Sequence, residues 1–179
     1  MHFERMLDSD ILYEGKILTL KKDRVELEDG TISAREVVVH NGGVAVAALD
    51  DEDNMLFVRQ FRYPYGEEVL EIPAGKRELS EPPLECGKRE LEEETGFCAR
   101  HFEELAVLYP TPGYCSEIIH VFYAKDLFPA YQHLDEGEFL SVEKIPFSEA
   151  LQMVMDGKIP DAKTQLAILK LYALRMAGK

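Results

Sequence analysis

The fold of this 179-residue chain is decided by residues 75–97, which read GKRELSEPPLECGKRELEEETGF. Pro82 and Pro83 suit the first turn of a helix, because proline lacks the amide hydrogen that this turn leaves unpaired. The residues that follow are rich in helix formers as far as Glu94. Gly96 then stands where a left-handed terminating residue is expected. The sequence therefore predicts one helix with well-marked ends.

The acidic residues at the end of this helix share one side of it. Each residue of an α-helix advances by about 100°, so Glu90, Glu93 and Glu94 fall within one narrow sector. Leu84 and Leu91 are expected to point to the core on the opposite side. The pattern therefore predicts an anchored helix whose acidic face has a defined direction.

Three carboxylates this close together repel one another, and each raises the pKa of its neighbours unless a cation neutralises them. Arg89 precedes Glu93 by one helical turn, and we expect its side chain to brace that carboxylate. Oxygen ligands of this kind indicate magnesium, with manganese as the alternative. Taken without its context, the same acidic stripe is also compatible with a solvated helix face.

The whole of residues 75–97 resembles a complete Nudix box. Its spacing is a glycine, five residues, a glutamate, seven residues, Arg-Glu-Leu, one residue, two glutamates, one residue and Gly-Phe. The resemblance implies a loop, a helix and a loop on an α/β/α sandwich, where divalent ions activate water against a nucleoside diphosphate linked to another group. It implies Glu90 and Glu94 as principal metal ligands, Glu93 as a supporting ligand with a catalytic role, and the backbone carbonyl of Ala74 as a further ligand.

The bulk composition fits one compact domain, since 46% of the residues are hydrophobic and 30% are charged. The formal charge of −14 disfavours nucleic acid or an anionic membrane as a partner. Cys86, Cys98 and Cys115 have no CxxC spacing, and their odd number favours reduced thiols in the cytoplasm. We expect neither a signal peptide nor a membrane-spanning helix.

Short β-prone runs with turn signals stand on both sides of the box. Asp29-Gly30 is a strong hairpin signal, so residues 1–40 are interpreted as an N-terminal antiparallel β unit with roles in dimerisation and substrate contacts. Residues 41–179 are interpreted as a Nudix hydrolase domain. We expect Ser148 and Asp161 to cap two terminal helices. Strands, a central helix, more strands and terminal helices predict an α+β fold with a mixed sheet flanked by helices.

Segments outside the box narrow the substrate. Residues 109–113 (YPTPG) follow the box at the distance where ADP-ribose pyrophosphatases of this superfamily carry a proline-containing marker, and residues 58–63 and 71–75 are also similar to that subfamily. The resemblance implies metal-dependent hydrolysis of ADP-ribose to AMP and ribose 5-phosphate. Another nucleotide sugar such as GDP-mannose stays open as the substrate. So does a non-hydrolytic ADP-ribose-sensing regulator, for which a degraded box and a basic DNA-binding module are expected.

The resemblance also implies seven substrate-contacting residues, namely Arg35, Arg62, Lys76, Thr111, Pro112, Gly113 and Glu117. The planar fork of Arg62 suits a phosphate, and the alternative is a structural ion pair. Arg35 has the alternative of pairing with a charge on a neighbouring strand. Phe61 and Tyr63 are interpreted as core or edge aromatics, with stacking on adenine as the alternative. A homodimer is expected, because the N-terminal strands need an apolar surface and related enzymes are paired in this way.

Residues 133–138 (HLDEGE) form an acidic loop before a predicted strand. By itself this segment is compatible with a solvated turn. In ADP-ribose pyrophosphatases a corresponding loop closes over the site, which implies Glu136 as the general base and Glu138 as a further metal ligand. Gly137 would allow the loop to move. A shift of two residues in the alignment would exchange the two roles.

Overall fold

The computed structural model describes residues 2–178, and within them it contains ten strands and three helices. They follow the chain in the order β1 (Arg5–Glu14), β2 (Leu18–Glu26), β3 (Ile32–His40), β4 (Gly43–Ala48), β5 (Asn54–Arg62), β6 (Glu67–Glu71), β7 (Ala74–Lys76), α1 (Pro83–Thr95), β8 (Phe97–Leu108), β9 (Ile119–Pro129), β10 (Leu140–Pro146), α2 (Phe147–Met155) and α3 (Ala162–Met176). No helix within residues 2–178 is long and apolar enough to cross a membrane. Residues 2–42 and 109–118 form one compact unit, and residues 43–108 and 119–178 form another.

The first unit contains the antiparallel sheet β1-β2-β3. The predicted hairpin is confirmed, because Leu27 N donates to Thr31 O at 2.9 Å around Gly30, whose φ is 83°. Strand β1 was not predicted over its full length. All ten of its residues are exposed, so its sequence has no buried face and lacks the alternation that marks a half-buried strand.

Residues 109–118 belong to this first unit and lie beside the end of β3. Val38 N donates to Tyr114 O at 2.8 Å, and Ser116 N donates to Val38 O at 2.9 Å. The hydroxyl of Ser116 also accepts a hydrogen bond from His40 N at 3.0 Å. The proline-containing segment is therefore fixed to the end of β3 by backbone and side-chain hydrogen bonds.

The second unit contains the mixed sheet β7-β4-β9-β8 and the antiparallel sheet β10-β5-β6. Strand β4 is buried along its whole length and runs parallel to β9. Alternate residues of β4 point to opposite faces, as the two-residue period of a strand requires. Ala45 and Ala47 join an apolar cluster that includes Ile168 of α3, whereas Val46 and Ala48 pack with Leu91 of α1. Helices therefore cover both faces of this sheet, and the predicted α+β class is confirmed.

The predicted box helix is confirmed as α1, with Pro82 at its N-cap and Gly96 at its C-cap, where φ is 70°. The prediction that Leu84 points to the core is wrong, because its side chain is 37% exposed. Leu84 lies within about 20° of the buried Leu91 around the helix axis, but it stands in the first turn, and the buried residues of α1 begin only at Cys86 and Gly87.

The two predicted caps of the terminal helices have different outcomes. Asp161 caps α3, because its Oδ2 accepts a hydrogen bond from Thr164 N at 2.9 Å. The Ser148 cap is wrong, since α2 begins one residue earlier, at Phe147, and its N-cap is Pro146. Phe147 is a core residue, and its burial fixes where the chain enters this helix.

Candidate active site

The acidic face of α1 is unusual because its carboxylates are buried. Glu94 is only 2% exposed and Glu90 only 9% exposed. Their burial follows from the packing of α1, whose buried residues Leu91 and Cys86 contact the apolar clusters of the sheet. Oε2 of Glu94 accepts a hydrogen bond from the backbone N of Ala74 at 2.9 Å. Strand β7 thus lies against the acidic face of α1 and contacts it through the Ala74 amide.

Arg89 organises this surface with a single guanidinium group. Its Nε and Nη2 donate to the carboxylate of Glu81 at 3.0 and 3.1 Å. Its Nη1 donates to Oε2 of Glu93 at 2.7 Å, which confirms the predicted brace, and lies 2.8 Å from Oε1 of Glu90. These bonds hold the pKa of Glu81 at about 2. The arginine of the box therefore ties the loop before α1 to its acidic face.

Burial raises the pKa of Glu90 to about 7 and that of Glu94 to about 8. Arg89 lowers the pKa of Glu90, and the Ala74 amide lowers that of Glu94, but neither offsets the desolvation. The charge of Glu138 raises both pKa values further. The two buried carboxylates therefore hold protons near neutral pH, and a cation that displaced those protons would stabilise their charged form.

This set of oxygen donors fits a hard divalent cation in ligand type and in charge. Within residues 2–178, however, no three acidic, thiol or imidazole side chains already converge as metal ligands. The reason is visible in the contacts: Glu93 is turned toward Arg89, and Glu94 toward the Ala74 amide. Side-chain rotation of these glutamates would have to accompany cation binding.

Gly75 has a role here that the sequence reasoning missed. A methyl group on this residue would lie 1.9 Å from Cδ of Glu90 and 2.1 and 2.2 Å from its carboxylate oxygens. Strand β7 thus passes so close to α1 that only glycine leaves room for the Glu90 carboxylate in its present position. The position of Gly75 at the start of the box was the available signal, since a required glycine often marks a close approach of the backbone.

The acidic loop brings Glu138 and not Glu136 toward other side chains. Glu138 N donates to Asp135 O at 3.0 Å, and Gly137 between them has a φ of 82°. Glu138 is half-buried, and its Oε1 accepts a hydrogen bond from Nε2 of Gln60 at 3.1 Å. Glu136 is exposed. Gln60 was not among the predicted site residues.

The guanidinium group of Arg62 forms an ion pair with the carboxylate of Glu71. Its Nε and Nη2 donate to Glu71 at 2.5 and 2.9 Å, and Nζ of Lys163 donates to the same carboxylate. Burial alone would raise the pKa of Glu71, but the two cations bring it below its ordinary value. The arrangement matches the ion-pair alternative. Substrate contact by Arg62 stays a prediction, as it does for the exposed Lys76 in β7.

The other predicted substrate residues lie in the first unit, namely Arg35, Thr111, Pro112, Gly113 and Glu117. Arg35 pairs with Glu4, whose oxygens lie 2.5 and 2.9 Å from its fork. Glu117 lies 3.5 Å from Nδ1 of His40. Pro112 and Gly113 are exposed. In the second unit, Phe61 and Tyr63 are 55% and 88% exposed, so neither is a core aromatic.

Comparison with known proteins shows similarity along nearly the whole chain. Residues 39–166 match the NUDIX domain, and residues 4–38 match the nucleoside diphosphate sugar hydrolase N-terminal domain. An ADP-ribose pyrophosphatase of Bacillus subtilis (strain 168) is 41% identical over 92% of this chain and 90% of its own. A methanol dehydrogenase activator of Bacillus methanolicus is 39% identical over the same shares.

More distant relatives differ in the substrate that their names give. A GDP-mannose pyrophosphatase of Cronobacter sakazakii (strain ATCC BAA-894) is 35% identical over 80% of this chain and 78% of its own. Among solved structures, one described as an ADP compounds hydrolase superposes with a TM-score of 0.85, covering 98% of this chain and 96% of its own at 23% identity. At that identity the likeness shows the fold, which agrees with the α/β/α arrangement around α1.

Proposed function

Because the chain belongs to the Nudix hydrolase family, we propose that it hydrolyses the pyrophosphate bond of ADP-ribose and releases AMP and ribose 5-phosphate. The observation that carries the proposal is the intact acidic face of α1, where Glu90 and Glu94 are buried beside the Arg89 guanidinium and the Ala74 amide. A regulator that had lost catalysis would have no need to keep this costly arrangement.

The residues of the second unit have two proposed roles, cation binding and proton transfer. We propose that Glu90, Glu93, Glu94, Glu138 and the carbonyl of Ala74 hold the cations, with magnesium as the natural ion and manganese as a substitute. When bound, such ions screen the diphosphate and lower the pKa of water. Glu136 takes the proton of the attacking water, and its exposure leaves it free to move with Gly137. One water is consumed, and one P–O bond of the bridge breaks.

A substrate panel tests the specificity. The protein is incubated with magnesium and ADP-ribose, GDP-mannose, other nucleotide sugars and dinucleotides, and the released nucleotides are separated by chromatography. We expect AMP from ADP-ribose at the highest kcat/KM. The same panel with Glu94→Gln identifies activity from a contaminating enzyme. Efficient GMP release with no AMP above background would replace ADP-ribose by GDP-mannose, the second candidate that the 35% identical relative favours.

We further propose that the enzyme works as a homodimer through residues 1–40. The support is the apolar surface of β1, where Met6, Ile11, Leu12 and Tyr13 are each at least 55% exposed. We place the protein in the cytoplasm, because all three cysteines are free thiols. Its strong negative charge argues against nucleic acid or membranes as partners. Light scattering that gives a monomer at micromolar concentration would contradict the dimer.

A further inference from the structure

Gln60 connects the acidic loop to the central strand of a sheet in the second unit. It lies in β5, the central strand of the sheet β10-β5-β6, where its backbone pairs with Leu140 on one side and Val69 on the other. Its Nε2 donates to Oε1 of Glu138 at 3.1 Å. Across residues 2–178, Gln60 is the one group outside the loop turn that donates a hydrogen bond to this carboxylate.

Glu138 lies near other carboxyl groups, so the contact that fixes its side chain decides where its charge stands relative to them. Burial is the main cause of the raised pKa values of Glu90 and Glu94, and the charge of Glu138 raises both further, so the three groups interact electrostatically. Within the turn, Glu138 N donates to Asp135 O at 3.0 Å, and Asp135 N donates to Oε2 of Glu138 at 3.4 Å. Among the described residues, the bond from Gln60 is the shorter of the two that this carboxylate accepts, and it is the one that ties the side chain to the sheet.

We propose that Gln60 is a positioning residue that keeps Glu138 beside the acidic face of α1 before substrate binds, an inference that rests on the proposed hydrolase function. A neutral amide suits this task, because it donates a hydrogen bond without bringing a positive charge. The carboxylate therefore keeps its charge for a cation. Arg59, the preceding residue on β5, shows the contrast, since its guanidinium neutralises Glu143 at 2.6 Å.

Hydrogen exchange of the metal-free protein without nucleotide tests the contact directly. Gln60→Leu removes the amide group, and we expect the amides of residues 133–139 to exchange about tenfold faster, the value of one hydrogen bond to a charged acceptor. Gln60→Glu places a second carboxylate against Glu138 and should act in the same direction. The matched control is Gln152→Leu, which removes an amide-to-carboxylate hydrogen bond of 2.8 Å to Asp156 and should leave this loop unchanged.

Manganese titration and a double-mutant cycle separate positioning from a general effect on stability. Gln60→Leu should weaken manganese binding several-fold and lower kcat/KM about tenfold, and it should cost nothing further in a Glu138→Gln background. Unchanged loop exchange in both Gln60 variants, or losses that multiply in the double mutant, would overturn the proposal. The exchange and manganese measurements need no nucleotide. They therefore still decide the role of Gln60 if ADP-ribose is not cleaved and the proposed function fails.

Discussion

Replacing Gly75 by alanine tests whether the close approach of β7 to α1 positions Glu90 for catalysis. The backbone of Gly75 has no left-handed conformation that would exclude alanine. The added methyl group, however, would lie 1.9 Å from Cδ of Glu90, whereas ordinary contact begins at 3.4 Å. The carboxylate must therefore retreat by about 1.5 Å. Because it is the end of a flexible side chain, it can do so without moving the strand.

The expected effect is a large loss of activity with a small loss of stability. A displacement of about 1 Å in a catalytic arrangement can cost about 100-fold in rate. We therefore expect kcat/KM for ADP-ribose to fall at least about 100-fold, which corresponds to about 2.7 kcal/mol of transition-state stabilisation. The magnesium concentration for half-maximal activity should rise, since Glu90 is a proposed ligand. The melting temperature should change by only a few degrees.

The assay measures AMP release at saturating magnesium, with calorimetry of the same samples. Gly87→Ala is the matched control, because this glycine lies in α1 but the atoms nearest to its methyl group would be apolar ones, of Phe122 at 3.3 Å and Val46 at 3.5 Å. Its activity should stay near that of the wild-type protein. If Gly75→Ala folds and keeps kcat/KM within about threefold of wild type, the position of Glu90 does not limit the reaction and the argument fails.

Three further predictions concern the carboxylates. Glu94→Gln should lower kcat by at least about 100-fold at nearly constant side-chain volume and protein stability. Near-normal turnover at saturating magnesium would mean that the acidic face of α1 has no role in catalysis. The free energy of unfolding of the metal-free protein should fall as pH rises from 4.5 through about 8, because Glu90 and Glu94 bind protons more tightly in the folded state. Urea unfolding with and without magnesium checks this. Magnesium should make the free energy of unfolding less dependent on pH. Glu136→Gln should lower kcat while manganese affinity is kept, whereas Glu138→Gln should weaken metal dependence; the reverse pattern in the two assays would exchange their roles.

Local sequence was sufficient for the parts of the site that local geometry controls. The bounds of α1 follow from Pro82, Pro83 and Gly96, and the contact between Arg89 and Glu93 follows from one turn of helix. These features depend on neighbours within a few residues. The sequence therefore predicted the acidic face of α1 and its brace before any tertiary contact was known.

Features that depend on tertiary packing could not be obtained in the same way. Gln60 and Glu138 are 78 residues apart, and their contact depends on the register of β10 against β5. Lys163 reaches Glu71 across 92 residues, which is why the ion pair of Arg62 was only one of two alternatives. The exposure of Leu84 also depends on packing, since heptad spacing places it on the same side as the buried Leu91 but does not say how far along the helix the core extends.

The charges of the second unit indicate an order of binding for an acidic enzyme with an anionic substrate. Four carboxyl groups lie near one another at this site, namely Glu90, Glu93, Glu94 and Glu138. The single positive charge of Arg89 is shared between Glu93, Glu90 and Glu81. Cations that bound first would convert this surface from one that repels a diphosphate into one that attracts it. Because the raised pKa values of Glu90 and Glu94 make protons compete with those cations, the concentration of magnesium needed for activity should fall as pH rises.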